Sequence, residues 1–206
     1  MSAIRVPSGR SGRQWLRGRL GNAEHAATLL EQKLRALRAE QRALAEEAEH
    51  TRDELVAQAE ETKTWTLRAA LTAGSRGMRL ACPDVDADVT ISWSTTAGVR
   101  HPSGITCSVP TGVVDVPVGT AVVRAVREQR MLLDAALRHA VAADALRRIT
   151  AETDTTQRRV QVLRRHWAPL LRETLARVEL ELEEREQAEN LRHRFASHAG
   201  RRPETE

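Results

Sequence analysis

Residues 16–37, LRGRLGNAEHAATLLEQKLRAL, decide the fold of this chain because their apolar residues recur at alternating steps of four and three. Leucine or alanine stands at positions 16, 20, 23, 27, 30, 34 and 37. Such a heptad pattern is typical of a helix that packs one face against another helix. The pattern continues to Ala69, with Gln41, Thr51 and Gln58 at some of its positions. It predicts a coiled-coil helix over residues 14–73.

A second heptad pattern predicts a coiled-coil helix over residues 119–195. Around Trp167 its steps lengthen to four, four and four, and Pro169 lies beside them. A proline inside a helix removes a backbone hydrogen bond and clashes with the preceding turn, so we expect a bend there. The apolar or small residues of the pattern are Val126, Leu133, Leu137, Ala140, Leu146, Ile149, Thr153, Thr156, Val160, Leu163, Trp167, Leu171, Leu175, Val178 and Leu182.

The segment between the helices, residues 74–118, is rich in Val, Thr, Pro and Gly. Gly74 is well placed to cap the first helix. Val89–Trp93 and Ile105–Val109 alternate apolar and polar residues, as half-buried strands do. The stretch Ser94–Gly104 is interpreted as a long hairpin connection, since it contains two glycines and a proline. The segment therefore predicts a small β-rich head, with Val113–Val118 as a further extended piece.

A long helix with one apolar face needs a partner for that face. The economical arrangement is a chain that runs up one helix, turns through the head and returns along the other. The predicted fold is therefore mainly α, a long two-helix antiparallel coiled coil with a small head that contains a β-hairpin. Matching the apolar patterns places Leu20 opposite Leu182, and Trp65 near Leu137.

The composition and the charge limit the function classes. The chain has 206 residues, four Trp, one Phe and no Tyr, which argues against a large single-core enzyme domain. Residues 1–19 carry five Arg and no acid, whereas residues 179–189 carry six Glu and one Arg. Blocks of one sign are either solvated helix faces or binding surfaces for partners. Residues 1–13 are expected to form a flexible basic N-terminus, and residues 196–206 a disordered tail.

Motifs for chemistry are missing from the sequence. It has no phosphate-binding loop and no G-x-S-x-G motif, and no apolar run is long enough to span a membrane. We expect no secretory leader, since no apolar stretch follows the basic residues 1–19. His193 and His198 are five residues apart, which does not suit a metal pair on one helix face. Cys82 and Cys107 are interpreted as small buried thiols, with a hairpin disulfide as the alternative. We therefore expect no catalytic residue, no cofactor and no metal site, and the protein is predicted not to be an enzyme.

The C-terminal half carries a family resemblance. Residues 156–163, TQRRVQVL, followed by Pro169 and the acidic run LEERE at residues 182–186, resemble the signature of the D subunit of V/A-type rotary ATPases. The N-terminal helix fits the family pattern more loosely, since Ala26 and Glu31 replace its usual Gly and Lys. The N-terminal residues that fit the pattern are Leu20, Ala23, Leu29, Leu30, Lys33 and Leu37.

The resemblance implies a central rotor shaft that transmits torque between the catalytic A and B subunits and the ion ring in the membrane. It implies an F-like stalk subunit and a socket subunit as further partners, with ATP chemistry on the A and B subunits. It places the chain in the cytoplasm, peripheral on the cell membrane, without insertion into it and without nucleic acid. Ion choice and the direction of the reaction belong to other subunits, so protons or sodium, and synthesis or pumping, stay open.

Two groups of contact residues follow from this resemblance and the charge pattern. The candidate contacts with the A and B subunits are Arg13, Trp15, Arg19, Arg158, Arg159, Arg164, Arg165, Glu183 and Glu184. The candidate partner contacts in the head are Val89, Ile91, Trp93, Ile105 and Val109. The alternative functions are a coiled-coil arm that binds nucleic acid and a generic coiled-coil scaffold.

Overall fold

The computed structural model describes residues 6–81, 86–109 and 119–199. It confirms a mainly α fold with two long helical segments and a two-stranded antiparallel hairpin between them. The elements are α1 (Arg10–Leu80), β1 (Asp88–Thr96), β2 (Val99–Ser108), α2 (Thr120–Val162), a π-helical turn (Leu163–Trp167) and α3 (Ala168–Ala199). The predicted extended piece Val113–Val118 and Cys82 lie outside the described residues.

The helices are longer than the sequence predicts. Helix α1 begins at Arg10, within the predicted flexible N-terminus, because Gly9 and Ser8 accept hydrogen bonds from its first turn. It is interrupted at Gly74, whose φ of 63° is left-handed, but helix resumes and continues to Leu80. The regular helix therefore ends at Gly74 as predicted, and what the sequence did not predict is the further short helical stretch that follows it. Helix α3 likewise continues to Ala199, into the predicted disordered tail.

The chain divides into two compact units. The terminal unit consists of Met1–Gln32 and Thr156–Glu206, and the central unit consists of Lys33–Thr155. In the terminal unit, Arg17 pairs with Glu179 and Glu24 pairs with Arg172, which shows that α1 and α3 run antiparallel there. In the central unit, α1 and α2 run antiparallel as well, and their contacts include the hydrogen bond from Gln41 to Thr150.

Small side chains dominate the interface between the helices. Every α1 position that the heptad pattern assigns to the apolar face, from Leu16 to Ala69, is buried or half-buried, which confirms that pattern. In the second pattern, Leu133 and Ala140 are exposed, so these two assignments are wrong. Their places are taken by neighbouring alanines that let the helices approach closely, and the buried alanines of α2 are Ala125, Ala135, Ala142 and Ala145.

The π-helical turn explains the irregular spacing around Trp167. The Ala168 backbone N–H donates to the Leu163 carbonyl, five residues back, so the turn holds one extra residue. As a result Ala168 is buried and Trp167 is 43% exposed, which corrects the prediction of Trp167 as a core residue. Because Pro169 has no N–H and its ring crowds the preceding carbonyls, a wider turn before it relieves the clash.

The predicted register is displaced in both units. Leu20 lies between Arg17, which pairs with Glu179, and Glu24, which pairs with Arg172. The predicted partner Leu182 is therefore wrong by about one to two helical turns.

In the central unit, Trp65 packs against a cluster that contains Ala69, Ala81 and Val122, far from the predicted Leu137. The displacement arises because alanines replace leucines on the buried face of α2. It also arises because α1 continues past Gly74 before the chain turns back.

The hairpin is tighter than predicted. Its two-residue turn is Ala97-Gly98, with φ of 50° and 81°, so the long connection predicted over Ser94–Gly104 is wrong. A two-residue hairpin turn of this kind needs a positive φ at both residues, and alanine seldom adopts a positive φ. The sequence Ala97-Gly98 was therefore a weak signal for the turn. Pro102 fits within β2 because the strand pairing shifts there, between Ser92 and Trp93.

A polar layer interrupts the core of the central unit. Glu128 is 2% exposed, and its carboxylate accepts a 2.8 Å hydrogen bond from Gln58 Nε2. The other carboxylate oxygen lies 2.6 Å from Arg124 Nε. Thr62 Oγ1 donates to the Glu128 carbonyl at 3.1 Å. Because a buried charge needs its partners, this layer favours one alignment of α1 with α2.

Glu128→Ala is expected to lower the free energy of unfolding by about 2–4 kcal/mol, because Gln58 loses its hydrogen-bond acceptor and Arg124 loses its ion-pair partner. Urea unfolding followed by circular dichroism measures the change. Gln129→Ala is the matched control, since Gln129 is exposed on the same turn of α2. Equal unfolding midpoints for the two variants would show that the polar layer does not stabilise the unit.

Candidate partner-binding surfaces

One face of the hairpin carries an exposed apolar row. Val89, Ile91 and Trp93 alternate along β1, so they share a face of the sheet, and they are 41%, 44% and 42% exposed. We call these three residues the hairpin row. The other two residues predicted as partner contacts in the head, Ile105 and Val109, are half-buried. The structure thus brings most of the predicted head contacts together on one small sheet.

Trp93, at one end of the hairpin row, contacts helix α2. Its ring centre lies 5.4 Å from the Arg148 guanidinium of α2 and 4.6 Å from that of Arg100 on β2, distances at which a cation attracts the ring. Arg148 is held in place by Asp144, 2.6 Å from its Nε. Hydrogen bonds from Arg148 and Arg147 lower the pKa of Asp144, so this carboxylate stays ionised at neutral pH.

The turn end of the hairpin rests on α1 through His101, which is 3% exposed. Its Nδ1 lies 3.1 Å from the Pro102 carbonyl, and its Nε2 lies 3.2 Å from Thr96 Oγ1 and 3.9 Å from Glu40 Oε1. Between the hairpin and the helices lies a groove of about 490 Å³, lined also by Glu47 and Arg138. The hairpin is therefore docked along the helices of the central unit. The sequence did not indicate His101, because one histidine beside a proline has no spacing pattern.

The predicted ring contacts on the second helical segment differ in their surroundings. Arg164 donates to both carboxylate oxygens of Glu31, at 2.9 and 3.2 Å, and this pairing raises the pKa of Arg164. Arg158, Arg159 and Arg165 are exposed, and none of the three forms an ion pair with a residue that the structure describes. Arg164 is therefore engaged within the chain, whereas the other three guanidinium groups face solvent.

The predicted contacts at the start of α1 lie together. Arg13 and Trp15 are half-buried, and the Arg19 guanidinium lies 5.1 Å from the centre of the Trp15 ring. Glu183 and Glu184 are exposed on α3. Both groups belong to the terminal unit, which thus presents basic and acidic side chains near its two helix ends.

The last part of α3 carries an apolar stripe that the sequence analysis missed. Among the described residues, Arg10–Glu186 is the cross-helix ion pair nearest the N-terminal end of α1. Helix α3 continues beyond Glu186 to Ala199. Leu191 and Phe195 are 54% and 73% exposed, and together with Ala188 they recur at steps of three and four. Such steps place all three on one helix face. We call Ala188, Leu191 and Phe195 the C-terminal stripe.

The sequence signal for the C-terminal stripe is the spacing of its own residues. It does not continue the second heptad pattern, because Leu191 lies nine residues after Leu182, about half a turn around the helix from it. An apolar face without an intramolecular partner is typical of an interaction site.

Across residues 6–81, 86–109 and 119–199, no three His, Cys, Asp or Glu side chains are grouped so that they could hold a metal ion. Cys107 is a half-buried free thiol on β2. No helix in these described ranges is both long enough and apolar enough to cross a bilayer.

Comparison with known proteins gave one family. The family model described as the ATP synthase D subunit matches residues 14–197, which include the hairpin and nearly all of α1 and α3. No curated protein matches the chain.

His101→Ala is expected to loosen the turn end of the hairpin, because the ring's contacts with Thr96 and Glu40 are lost. Amide hydrogen exchange over residues 96–104 should become about tenfold faster, as expected for the loss of one buried hydrogen bond. His25→Ala, at an exposed position on α1, is the control and should leave this exchange unchanged. Unchanged exchange in His101→Ala would show that His101 does not dock the hairpin.

Proposed function

The chain belongs to the family of ATP synthase D subunits, of the V/A type, and from this premise we propose that it is the central rotor shaft of a rotary ATPase. The family makes it a component of an ATP synthase complex, and this favours a rotary machine over a nucleic-acid arm or a generic scaffold. The shaft would carry torque between the catalytic A and B subunits and the ion ring of the membrane. ATP chemistry would take place on the other subunits.

The observation that carries this proposal is that the terminal unit contains both a paired stretch of helices and an unpaired helix end. Within the terminal unit, α1 and α3 are held together by buried apolar residues and by cross-helix ion pairs. Beyond this pairing α3 exposes the C-terminal stripe, with nothing among the described residues to cover it. A shaft that turns inside a ring needs a self-contained stem and a separate end for the bearing, and the terminal unit offers both.

We propose that the terminal unit is the end inserted in the ring of A and B subunits. The C-terminal stripe would lie against apolar side chains of the ring, and the exposed Arg158, Arg159 and Arg165 would meet acidic or carbonyl groups. Arg13, Trp15 and Arg19 would contact the ring from α1, and Glu183 and Glu184 from α3. Arg164 is a weaker candidate, because Glu31 already binds it.

The asymmetry of the terminal unit also supports the proposal. Helix α1 is regular there, whereas the opposing segment contains the π-helical turn before Pro169. Opposite faces of the unit therefore differ in shape and charge. Such a difference is what would allow three otherwise equivalent catalytic interfaces to adopt different states as the shaft turns.

We propose that the hairpin row binds another stalk component, either the F-like subunit or the socket subunit. Val89 and Ile91 are exposed apolar side chains on β1, a strand with one unpaired edge in the two-stranded sheet. An unpaired strand edge beside an apolar row is a ready surface for another chain. In this arrangement the protein is peripheral on the cytoplasmic face of the cell membrane, held there by its partners.

Val89→Ser combined with Ile91→Ser is expected to weaken binding of the F-like subunit about tenfold or more, because two apolar side chains are lost from the contact. Isothermal titration with the purified F-like protein measures the affinity. Thr90→Ala, on the opposite face of the same strand, is the matched control and should bind as the native chain does. Native affinity in the double variant would assign the F-like subunit to another surface.

Leu191→Ser combined with Phe195→Ser is expected to weaken binding of the chain to the assembled A and B ring about tenfold or more. Gln187→Ser, exposed on the same helix, serves as the control. Binding is measured by fluorescence anisotropy of the labelled chain, and circular dichroism verifies that α3 is still helical. If the double variant binds like the control, the C-terminal stripe is not the bearing surface.

A further inference from the structure

The ion pairs across the helices of the terminal unit form a regular row. Their α1 members lie seven residues apart. Each directly follows a position of the first heptad pattern, or of that pattern extended toward the N-terminus. On the opposite segment the steps are seven, seven and eight, and the step of eight spans the π-helical turn. We call the row the charge ladder; its pairs are Arg10–Glu186 (2.9 Å), Arg17–Glu179 (2.6 Å), Glu24–Arg172 (2.5 Å) and Glu31–Arg164 (2.9 Å).

The sign of the charge changes halfway along the charge ladder. In the first two pairs, Arg10 and Arg17 place the cation on α1. In the next two pairs, Glu24 and Glu31 place the anion on α1, and the cations are on the opposite segment. The native alignment is therefore the one in which all four contacts join opposite charges.

Any slip of the helices by whole heptads would bring like charges together. Moving α1 by one heptad in one direction brings Arg17 to Arg172, and in the other direction it brings Glu24 to Glu179. A slip of two heptads produces two like-charge contacts in either direction. The apolar seam alone opposes such slips weakly, because leucines and alanines recur every seven residues and meet similar partners again.

We infer that the reversal of charge along the ladder fixes the register of α1 in the terminal unit. Exposed ion pairs add little to stability, but like charges at facing positions are unfavourable, so a sign reversal separates registers that apolar packing leaves similar. The π-helical turn contributes to this register because its extra residue keeps Arg164 opposite Glu31. This inference goes beyond the proposed function and holds whether or not the chain turns in a rotary complex.

The decisive variants keep all four ion pairs and change only the reversal. A first uniform ladder has Arg at all four α1 positions and Glu at all four partners. A second uniform ladder has Glu on α1 and Arg opposite. The inverted ladder exchanges all eight charges and so retains the reversal. The substitutions are E24R, E31R, R164E and R172E for the first, R10E, R17E, E179R and E186R for the second, and all eight for the inverted ladder.

The register is measured by disulfide formation in the full chain, with Cys82 and Cys107 replaced by serine. Cysteines at Ala23 and Leu175 report the native register. Cysteines at Ala23 and Ala168, or at Ala23 and Leu182, report slips of one heptad in the two directions. Circular dichroism measures the helical content of each variant.

The native chain and the inverted ladder are expected to form almost only the Ala23–Leu175 bridge. Both uniform ladders should form the slipped bridges about fivefold more, as expected when a like-charge contact becomes an opposite-charge one. This difference should shrink at about 1 M salt, where exposed charges are screened.

Three results would overturn the inference. Native bridging alone in both uniform ladders would show that apolar packing sets the register without the reversal. Slipped bridges in the inverted ladder would show that the particular side chains matter, and not the order of their signs. Loss of helical content in both uniform ladders would also count against it, since each keeps all four native pairs and should fold.

Discussion

The structure depends on one constraint, the burial of the small-residue face of α1 against a second helix. In the central unit this face is covered by α2, and in the terminal unit by α3 and the end of α2. Because most of the buried side chains are alanine or threonine, the helices come close and each contact buries little area. Specific alignment must then come from polar contacts, and the Glu128 layer and the charge ladder supply it in the two units. The proposed partner surfaces are the hairpin, which is docked along the paired helices of the central unit, and the last turns of α3, which extend beyond the pairing with α1.

Much of the fold could be predicted from the sequence, since a heptad pattern encodes burial directly. Every assigned position of α1 from Leu16 to Ala69 is buried or half-buried. The buried positions of α2 were assigned wrongly where alanine rather than leucine fills the core. Alanines such as Ala135 and Ala142 are a weaker sign of burial than a leucine such as the exposed Leu133. The register was also wrong, since a seven-residue repeat fits several alignments and only the partners of its charged residues distinguish them.

The candidate surfaces were predictable to different degrees. Alternation along β1 was enough to identify Val89, Ile91 and Trp93, and the structure places all three on one exposed face. The docking of the hairpin by His101 and Arg148 could not be foreseen, because it joins residues far apart in sequence. The ring contacts on the second segment were chosen by charge alone, which cannot show that Arg164 is bound to Glu31. Leu191 and Phe195 were missed, since an apolar step is informative only once the end of the opposing helix is known.

Family membership and physical structure support the rotor assignment in different ways. The family makes the chain a component of an ATP synthase complex, while the structure provides a paired stem with exposed surfaces at separate places along the chain. The most direct test is single-molecule rotation. The A and B ring is fixed to a surface, the chain is assembled into it, and a probe is attached at Gly98 in the hairpin turn. The proposal predicts stepwise rotation of the probe that is driven by ATP. ATP hydrolysis by a ring in which the probe stays at a constant angle would contradict it.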